Sequence, residues 1–364
     1  MRVCEAEREI AGRFGRKYAL LTGRGATALM LLYETLSPKG GRVILPAIGC
    51  PSILATVLLT GRRAAIVDVG CNLNIDPEKL MGVVREGDIV VGIHLFGIPF
   101  AVEAVSEICK RSGAVLIEDA AQAIGGSYKG KLLGSFGKAS ILSFGKGKIL
   151  PTEGGGAILT DDDGLAEKLK DAVKKLPERP VDLSERAREF RDKVTPAFNR
   201  ARRGEREAAS LWGKLYLEFG EIYRYSIIES EAEAIVRALK ELEDNGENRR
   251  RRALMYRSYL SDLPCQFLPY SINTVPWRYT IIMWKMDGNE VQDCTEALRA
   301  EGIDVSNLYL PLHWLAPELV EATECRRAEF VSPRIMNFWV DNTVDEGRIA
   351  VTKQVIHRFC SEKR

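Results

Sequence analysis

Histidine is scarce in this chain: three in 364 residues, His94, His313 and His357, far apart in sequence. None of the eight cysteines (Cys4, Cys50, Cys71, Cys109, Cys265, Cys294, Cys325 and Cys360) stands in a CxxC pair. These two absences argue against a zinc site and a disulfide framework. No run of about 18 apolar residues occurs, so no membrane span is expected. The amino terminus, MRVCEAEREI, is charged and lacks the apolar core of a secretory leader. Net charge is also lacking, at +2 from 52 basic and 50 acidic residues, so no global field draws in nucleic acid. The expectation is a protein of the reducing cytoplasm with neither nucleic acid nor membrane as partner.

The chain does have apolar residues in quantity, 46%, enough for a sizeable core. Its length favours two domains, or a large one with a smaller one attached. Basic clusters at Arg200–Arg206 and Arg249–Arg252 are flanked by Glu205, Glu207, Glu243 and Glu247. They read as solvated helix faces rather than nucleic-acid patches.

The first 160 residues alternate short apolar strands with helical patterns. An amphipathic helix over Cys4–Phe14 precedes a strand at Tyr18–Leu21. That strand runs into Thr22-Gly23-Arg24-Gly25-Ala26-Thr27, and then a helix with Leu29, Leu32, Tyr33 and Leu36 on one face. Backbone N–H groups at such a helix start can hold a phosphate, although many such turns bind nothing. Further strands are expected at Val43–Leu45, Ala64–Val69, Ile89–Leu95 and Ala114–Ile117. Helices are expected between them, including Asp76–Arg85 with Asp76 as N-cap. This alternation specifies an α/β fold with a mostly parallel sheet between helices.

Pro177–Gly204 changes character, with many charges and few apolar residues, and reads as an exposed, partly helical excursion or lid. A long helical segment, Glu229–Leu260, is expected to break near Asn245-Gly246. Trp277–Trp284 alternates like an antiparallel strand, and helices follow at Glu290–Glu301 and Val344–Arg358. The expected organisation is a large domain over residues 1–225 and a smaller α+β domain over 226–364.

Chemistry concentrates in Ala139–Gly156, ASILSFGKGKILPTEGGG. An apolar run breaks into Gly-Lys-Gly-Lys, then a turn, three glycines and another apolar strand. A lysine just past a buried strand end can lose its charge by desolvation and become a nucleophilic amine. Read alone, the stretch fits a solvated turn with two surface lysines equally well. Asp119 ends a buried strand and needs a cationic or donor partner. A helix cap or a structural ion pair explains it on its own.

Three segments taken together carry more weight: GIHLFGIP (Gly92–Pro99), IEDAAQAIGGSYKGKLLGSFG (Ile117–Gly137) and LSFGKGKILPTEGGG (Leu142–Gly156). In order, spacing and identity the chain resembles the DegT/DnrJ/EryC1/StrS sugar aminotransferases, pyridoxal-phosphate enzymes of the aspartate-aminotransferase fold. The resemblance implies pyridoxal 5'-phosphate as cofactor, joined through a Schiff base to Lys148, with Lys146 as the decoy. It implies that Ser143 bonds the cofactor phosphate, that Asp119 meets the pyridine nitrogen, and that Gln122 lies against the ring or its 3-oxygen. Gly25, Ala26 and Thr27 would give backbone N–H groups to the phosphate. Arg224 falls in a segment, with Tyr223 and Ser226, that reaches the neighbouring subunit's cofactor in a homodimer.

The same resemblance exposes departures. Cys50 stands near the position of an aromatic side chain that stacks on the cofactor ring, and Ile149 replaces an asparagine after the lysine. Pro177–Gly204 has no clear family counterpart. The expected activity is transfer of an amino group, from glutamate, to a nucleotide-linked keto-sugar. Arg200, Arg202 and Arg203 could meet a nucleotide diphosphate, though a solvated surface explains them equally. The alternatives are sugar dehydration, for which relatives often replace the lysine by histidine, and a non-catalytic carbohydrate-binding member of the fold.

Overall fold

The computed structural model describes residues 2–307 and 309–361. Helix α1 (Val3–Arg13) leads into strand β1 (Tyr18–Thr22) and helix α2 (Gly25–Leu36). Next come β2 (Arg42–Pro46), α3 (Pro51–Leu59), β3 (Arg63–Val67), α4 (Pro77–Met81), β4 (Ile89–Ile93), α5 (Val102–Ser112) and β5 (Val115–Asp119). A small hairpin of β6 (Ser127–Tyr128) and β7 (Lys131–Leu132) precedes β8 (Ala139–Ser143) and β9 (Gly156–Thr160). Four helices follow before the segment unit ends in a fifth: α6 (Asp163–Lys174), α7 (Leu183–Arg202), α8 (Arg206–Glu218), α9 (Glu229–Leu239) and α10 (Leu242–Tyr259). The remainder is β10 (Gln266–Phe267), β11 (Tyr279–Ile282), α11 (Gly288–Ala300), β12 (Val305–Ser306), α12 (Leu312–Leu315), β13 (Val320–Ala322), α13 (Arg326–Val331), β14 (Ile335–Phe338) and α14 (Glu346–Ser361).

The large sheet has the order β1-β9-β8-β5-β4-β2-β3-β13. Every neighbouring pair is parallel except those of β9, which runs antiparallel to both β1 and β8. Strands β2, β4 and β8 are buried on nearly every residue, as a sheet covered on both faces requires. The strand order reverses around β2, since β3 lies on one side of it and β4 on the other. Crevices at such a reversal, outside the carboxyl ends of the strands, are where open α/β sheets bind ligands.

A second, antiparallel sheet, β10-β11-β14-β12, supports its own apolar cluster, which includes Tyr256, Ile281, Leu298, Phe338 and Ile356. The chain beyond residue 226 serves both cores. Ile235 and Val236 of α9 join the cluster of the large sheet, and β13 adds a parallel edge strand to β3. No helix among the described residues is long and apolar enough to cross a membrane.

Several local expectations change for physical reasons. The helix expected to reach Arg85 stops at Met81. The buried ion pair of Arg42 and Asp88 (2.6 Å) takes the groups that would have continued it: Arg42 Nη2 donates to the Val83 carbonyl at 2.7 Å, and the Arg85 N–H donates to Asp88 at 2.7 Å. The strand expected to reach Leu95 ends at Ile93. Asn74 accepts from the Leu95 N–H and Gln122 from the Phe96 N–H, so side chains displace the ladder. The helix break lies at Lys240–Glu241, whereas Asn245 and Gly246 sit inside α10. There Asn245 Nδ2 donates to the Ile149 carbonyl (3.1 Å), so the residue acts as a tertiary tie and not as a breaker.

Pro177–Gly204 is mostly one ordered helix of 20 residues, α7, which packs along α8. Its stripe of Leu183, Phe190, Val194, Ala197, Phe198 and Ala201 recurs at helical spacing beneath a charged exterior. The basic clusters are only partly solvated. Arg202, Arg249 and Arg252 are buried, and their guanidiniums donate to backbone carbonyls of Ser332, Pro333, Pro276, Trp277 and Val344.

Beneath the strand ends, Glu118 of β5 is fully buried. It accepts from His94 Nε2 at 2.9 Å and from the N–H groups of Gly134, Gly137 and Phe136. Burial by itself would raise its pKa, but His94 and these N–H donors outweigh it and hold the carboxyl below its usual value. A depressed carboxylate contributes stability that is present above its unfolded pKa of about 4.3 and is lost as pH falls through the folded value. Glu118→Ala should therefore cost about 3–5 kcal/mol in urea unfolding at neutral pH, because it strands His94 and three N–H groups. Glu118→Gln should flatten the stability loss between neutral and acidic pH. An unchanged acid limb in Glu118→Gln would show that another group controls it.

Candidate active site

A cavity of about 330 Å³ opens at the carboxyl ends of β4, β5 and β8, against the starts of α2 and α3. Asp119, the last residue of β5, lies on its wall and is almost completely buried. Its Oδ1 accepts from the Ala121 N–H at 2.9 Å. Burial raises its pKa, and the positive charge of Lys148 is the strongest influence opposing that rise. The lysine expected to act and the carboxylate expected to meet the ring nitrogen therefore share one cavity.

The turn that carries Lys148 is held from three directions. Its own N–H donates to the Gly145 carbonyl (3.1 Å), and the Thr152 N–H to that of Phe144 (2.7 Å). Trp277 Nε1, from the start of the second sheet's segment, donates to the Gly147 carbonyl (2.6 Å). Asn245 grips the Ile149 carbonyl, and the Ile149 side chain is itself fully buried. Gly147 has φ +81°, the left-handed conformation that favours glycine. Lys146 differs sharply: it is exposed and paired with Glu153 at 3.2 Å.

Gln122 is buried and locked, with Oε1 accepting from the Phe96 N–H (2.9 Å) and Nε2 donating to the Tyr309 hydroxyl (2.8 Å). Tyr309 in turn meets Phe96 edge-on, with ring centroids 4.8 Å apart. Ser143 closes β8 beside the start of α2, where a Cβ on Gly25 would lie 2.9 Å from the Ser143 Cβ. Arg24 is the N-cap of α2 with extended backbone and no side-chain cap, so the first-turn N–H groups face the cavity uncapped. Gly25 and Ala26 line the cavity there. This is the donor set an anionic group requires.

Thr27 and Arg224 do not line this cavity, their expected parts being a backbone N–H and a reach to the second copy's cofactor. Thr27 is buried one step along α2, and its hydroxyl donates to the Tyr223 carbonyl. Arg224 pairs with Glu34 through two contacts of 2.8 Å and does not line the cavity. Among the lining residues not given as site residues from the sequence, three are polar side chains of note. Arg24 lies inside the glycine-rich turn and donates from Nε to the Tyr225 hydroxyl (3.0 Å). Tyr223 presents a buried hydroxyl without a partner. Arg191 comes from α7, a helix whose position the sequence did not reveal. Cys50 does line the cavity, its Sγ 3.1 Å from Ser52 Oγ. Among the described residues, no group of three or more His, Cys, Asp or Glu side chains could hold a metal ion.

Residues 2–355 match the profile of the DegT/DnrJ/EryC1/StrS aminotransferase family, and the chain belongs to that family. Spore coat polysaccharide biosynthesis protein SpsC of Bacillus subtilis is 26% identical over 348 residues, covering 93% of this chain and 82% of SpsC. A pleiotropic regulatory protein of Geobacillus stearothermophilus is 36% identical over 172 residues, a match that spans 46% of each protein. The chain thus spans about half the length of that relative. Among solved structures, Helicobacter pylori PseC, an aminotransferase involved in the biosynthesis of pseudoaminic acid, superposes with a TM-score of 0.80 at 20% identity, covering 99% of this chain and 91% of PseC. The GDP-4-keto-6-deoxy-D-mannose-3-dehydratase of E. coli, solved with bound hydrated PLP, gives 0.75 at 20% identity, covering 97% and 91%. At these identities the superpositions establish the fold.

Close packing at the phosphate end gives a direct test. A Cβ on Gly156 would run into the backbone of Arg24 and Gly25. Gly156→Ala should force β9 away from α2 and cost about 1–3 kcal/mol or more in denaturant unfolding. Gly164→Ala, whose nearest neighbour would be 3.6 Å away, should be close to neutral. Equal stability of the two variants would contradict the packing described.

Proposed function

We propose that this family member is a pyridoxal-phosphate-dependent aminotransferase that moves an amino group from glutamate to a nucleotide-linked keto-sugar, with Lys148 as the reactive amine. The observation that carries the reading is the pairing in one cavity of buried Asp119 with Lys148, while Lys146, which also lines that cavity, is exposed and tied to Glu153. Pyridoxal 5'-phosphate, when bound, supplies an electron sink for a carbanion at the substrate carbon and a carrier for the amino group.

The chain's residues fit that group. Asp119, buried in the same cavity as Lys148, would hold a proton on the ring nitrogen. Gln122, fixed by Phe96 and Tyr309, orients the ring edge. Ser143 and the uncapped N–H groups of Gly25 and Ala26 bind the phosphate, and Arg24 adds a positive charge beside them. The Lys148 amine takes the proton from the substrate's α-carbon and returns it elsewhere, as a positioned general base does. A homodimer, with Tyr223 and Arg224 near the boundary with the second copy, and a cytoplasmic location complete the proposal.

Sugar dehydration is the second reading, because a GDP-4-keto-6-deoxy-D-mannose 3-dehydratase of E. coli shares the fold, and an E. coli enzyme of that name is 31% identical over 172 residues, 45% of this chain. The presence of Lys148 favours transfer. Protein incubated with pyridoxal phosphate should show a visible absorption band that Lys148→Ala lacks and that glutamate shifts. Nitrogen-15 from glutamate should then appear in a sugar product. A band that needs no lysine, or a product that has lost a hydroxyl and gained no nitrogen, would overturn the transfer reading.

A further inference from the structure

Helix α7 is anchored rather than free. Phe190 sets its ring edge-on to Tyr216, with centroids 5.0 Å apart, and packs against Phe219 and Tyr223. Tyr223 itself lines the cavity. The next residue, Arg191, therefore reaches the cavity wall from a fixed helix, although it remains exposed.

Apart from Arg188, which does not line the cavity, the neighbouring cations of this stretch are occupied. Arg186 pairs with Asp182 and Glu221, Lys193 with Glu189 and Glu218, and Arg200 with Glu205. Arg203 pairs with Asp293 and Glu296, and buried Arg202 donates to the carbonyls of Ser332 and Pro333. The arginines that the sequence offered for a nucleotide are thus engaged elsewhere. Among the described residues Arg191 has no carboxylate partner, and it is the cation of α7 that lines the cavity.

We infer that Arg191 is the anion anchor at the cavity mouth and takes the diphosphate of a nucleotide-linked acceptor sugar, which rests on the aminotransferase reading above. The depth of the cavity separates the two substrates. The carboxylate of an amino-acid donor is bonded to the reacting carbon, so it must sit close to the Lys148 amine, inside the cavity. In a nucleotide-linked sugar the ring lies between the carbonyl and the diphosphate, so the phosphates fall toward solvent. An exposed arginine at the rim suits the second group, and its planar guanidinium suits phosphate oxygens. It also gives the excursion a purpose: α7 extends the substrate side of the cavity with an element carried by the charged stretch.

The test uses full-length protein loaded with pyridoxal phosphate. Dissociation constants for uridine, guanosine and thymidine diphosphates, and for pyrophosphate, are measured by calorimetry in the wild type, Arg191→Gln, Arg191→Lys and Arg188→Gln. Arg188 lies three residues back on the same helix and does not line the cavity. Arg191→Gln should weaken the best-bound nucleoside diphosphate about 10- to 100-fold. Arg191→Lys should recover part of that loss. Arg188→Gln, the cofactor dissociation constant and the spectral response to glutamate should be unchanged. Nucleoside-diphosphate binding equal in Arg191→Gln and wild type, or absent from the wild type, overturns the inference. So does an equal loss in Arg188→Gln, which would mark a general surface field. If instead glutamate saturation alone weakens in Arg191→Gln, the anchor serves the donor carboxylate and the assignment to the acceptor is wrong. The aminotransferase reading fails separately, through loss of the Lys148-dependent band, which none of these variants touches.

Discussion

The site depends on one electrostatic constraint: a carboxylate buried at the end of a central strand, with a lysine brought to the same cavity by the next strand's turn. Asp119 is flanked in register by Ile93 of β4 and Ile141 of β8, so water cannot solvate it from the sides. Burying an ionised carboxylate is costly unless a cation or donors compensate it. Lys148, the Ala121 N–H and His94 oppose the effect of burial, which still prevails and raises the pKa. The residue is thereby left with an unsatisfied demand for a positive partner, which is what a protonated ring nitrogen provides.

Much of the surrounding structure serves to keep the lysine in place. The glycines of Gly145–Gly147 let the turn fold tightly, but its position is set from outside by Trp277 and Asn245. Both lie in the carboxyl-terminal half of the chain, so the later segment reaches back to hold the catalytic turn. The Gln122–Tyr309 hydrogen bond likewise fixes the cavity-lining glutamine from the later part of the chain. Gly156 and Gly25 remove side chains where β9, α2 and Ser143 meet, which brings uncapped N–H groups to the cavity. Glu118 faces away from Asp119 and is fully paired with His94 and backbone donors. Adjacent carboxylates on one strand thus divide the work, one structural and one facing the site.

The strand-and-helix grammar of the first 160 residues was legible because buried parallel strands read as short apolar runs bounded by polar turns. Lys148 and Asp119 drew notice by their places past strand ends, but the grouping of Lys148, Asp119, Gln122 and Ser143 came from the family resemblance, and the four do converge on one cavity. The side-chain partners of Arg224 and Thr27 were not legible. A motif fixes position along the chain, but Glu34 and the Tyr223 carbonyl decide where those side chains are spent. The ends of β4 and α4 were overrun because buried side chains, Arg42, Asn74 and Gln122, capture backbone groups from far away in sequence. Composition concealed α7, since its apolar stripe is diluted by charges that the helix displays on its outer face. Arg191 was illegible for the same reason, because its placement depends on the docking of Phe190 among three aromatic rings.

The central claim is that Lys148, and not its neighbour two residues earlier, is the amine that engages the cofactor. Borohydride reduction of the pyridoxal-phosphate-loaded protein, followed by protease digestion and mass mapping, tests this most directly. The account predicts a single stable pyridoxyl adduct on Lys148, with Lys146 unmodified because it stays in its surface ion pair. An adduct on Lys146, or a cofactor that washes away unreduced from every lysine, would contradict it.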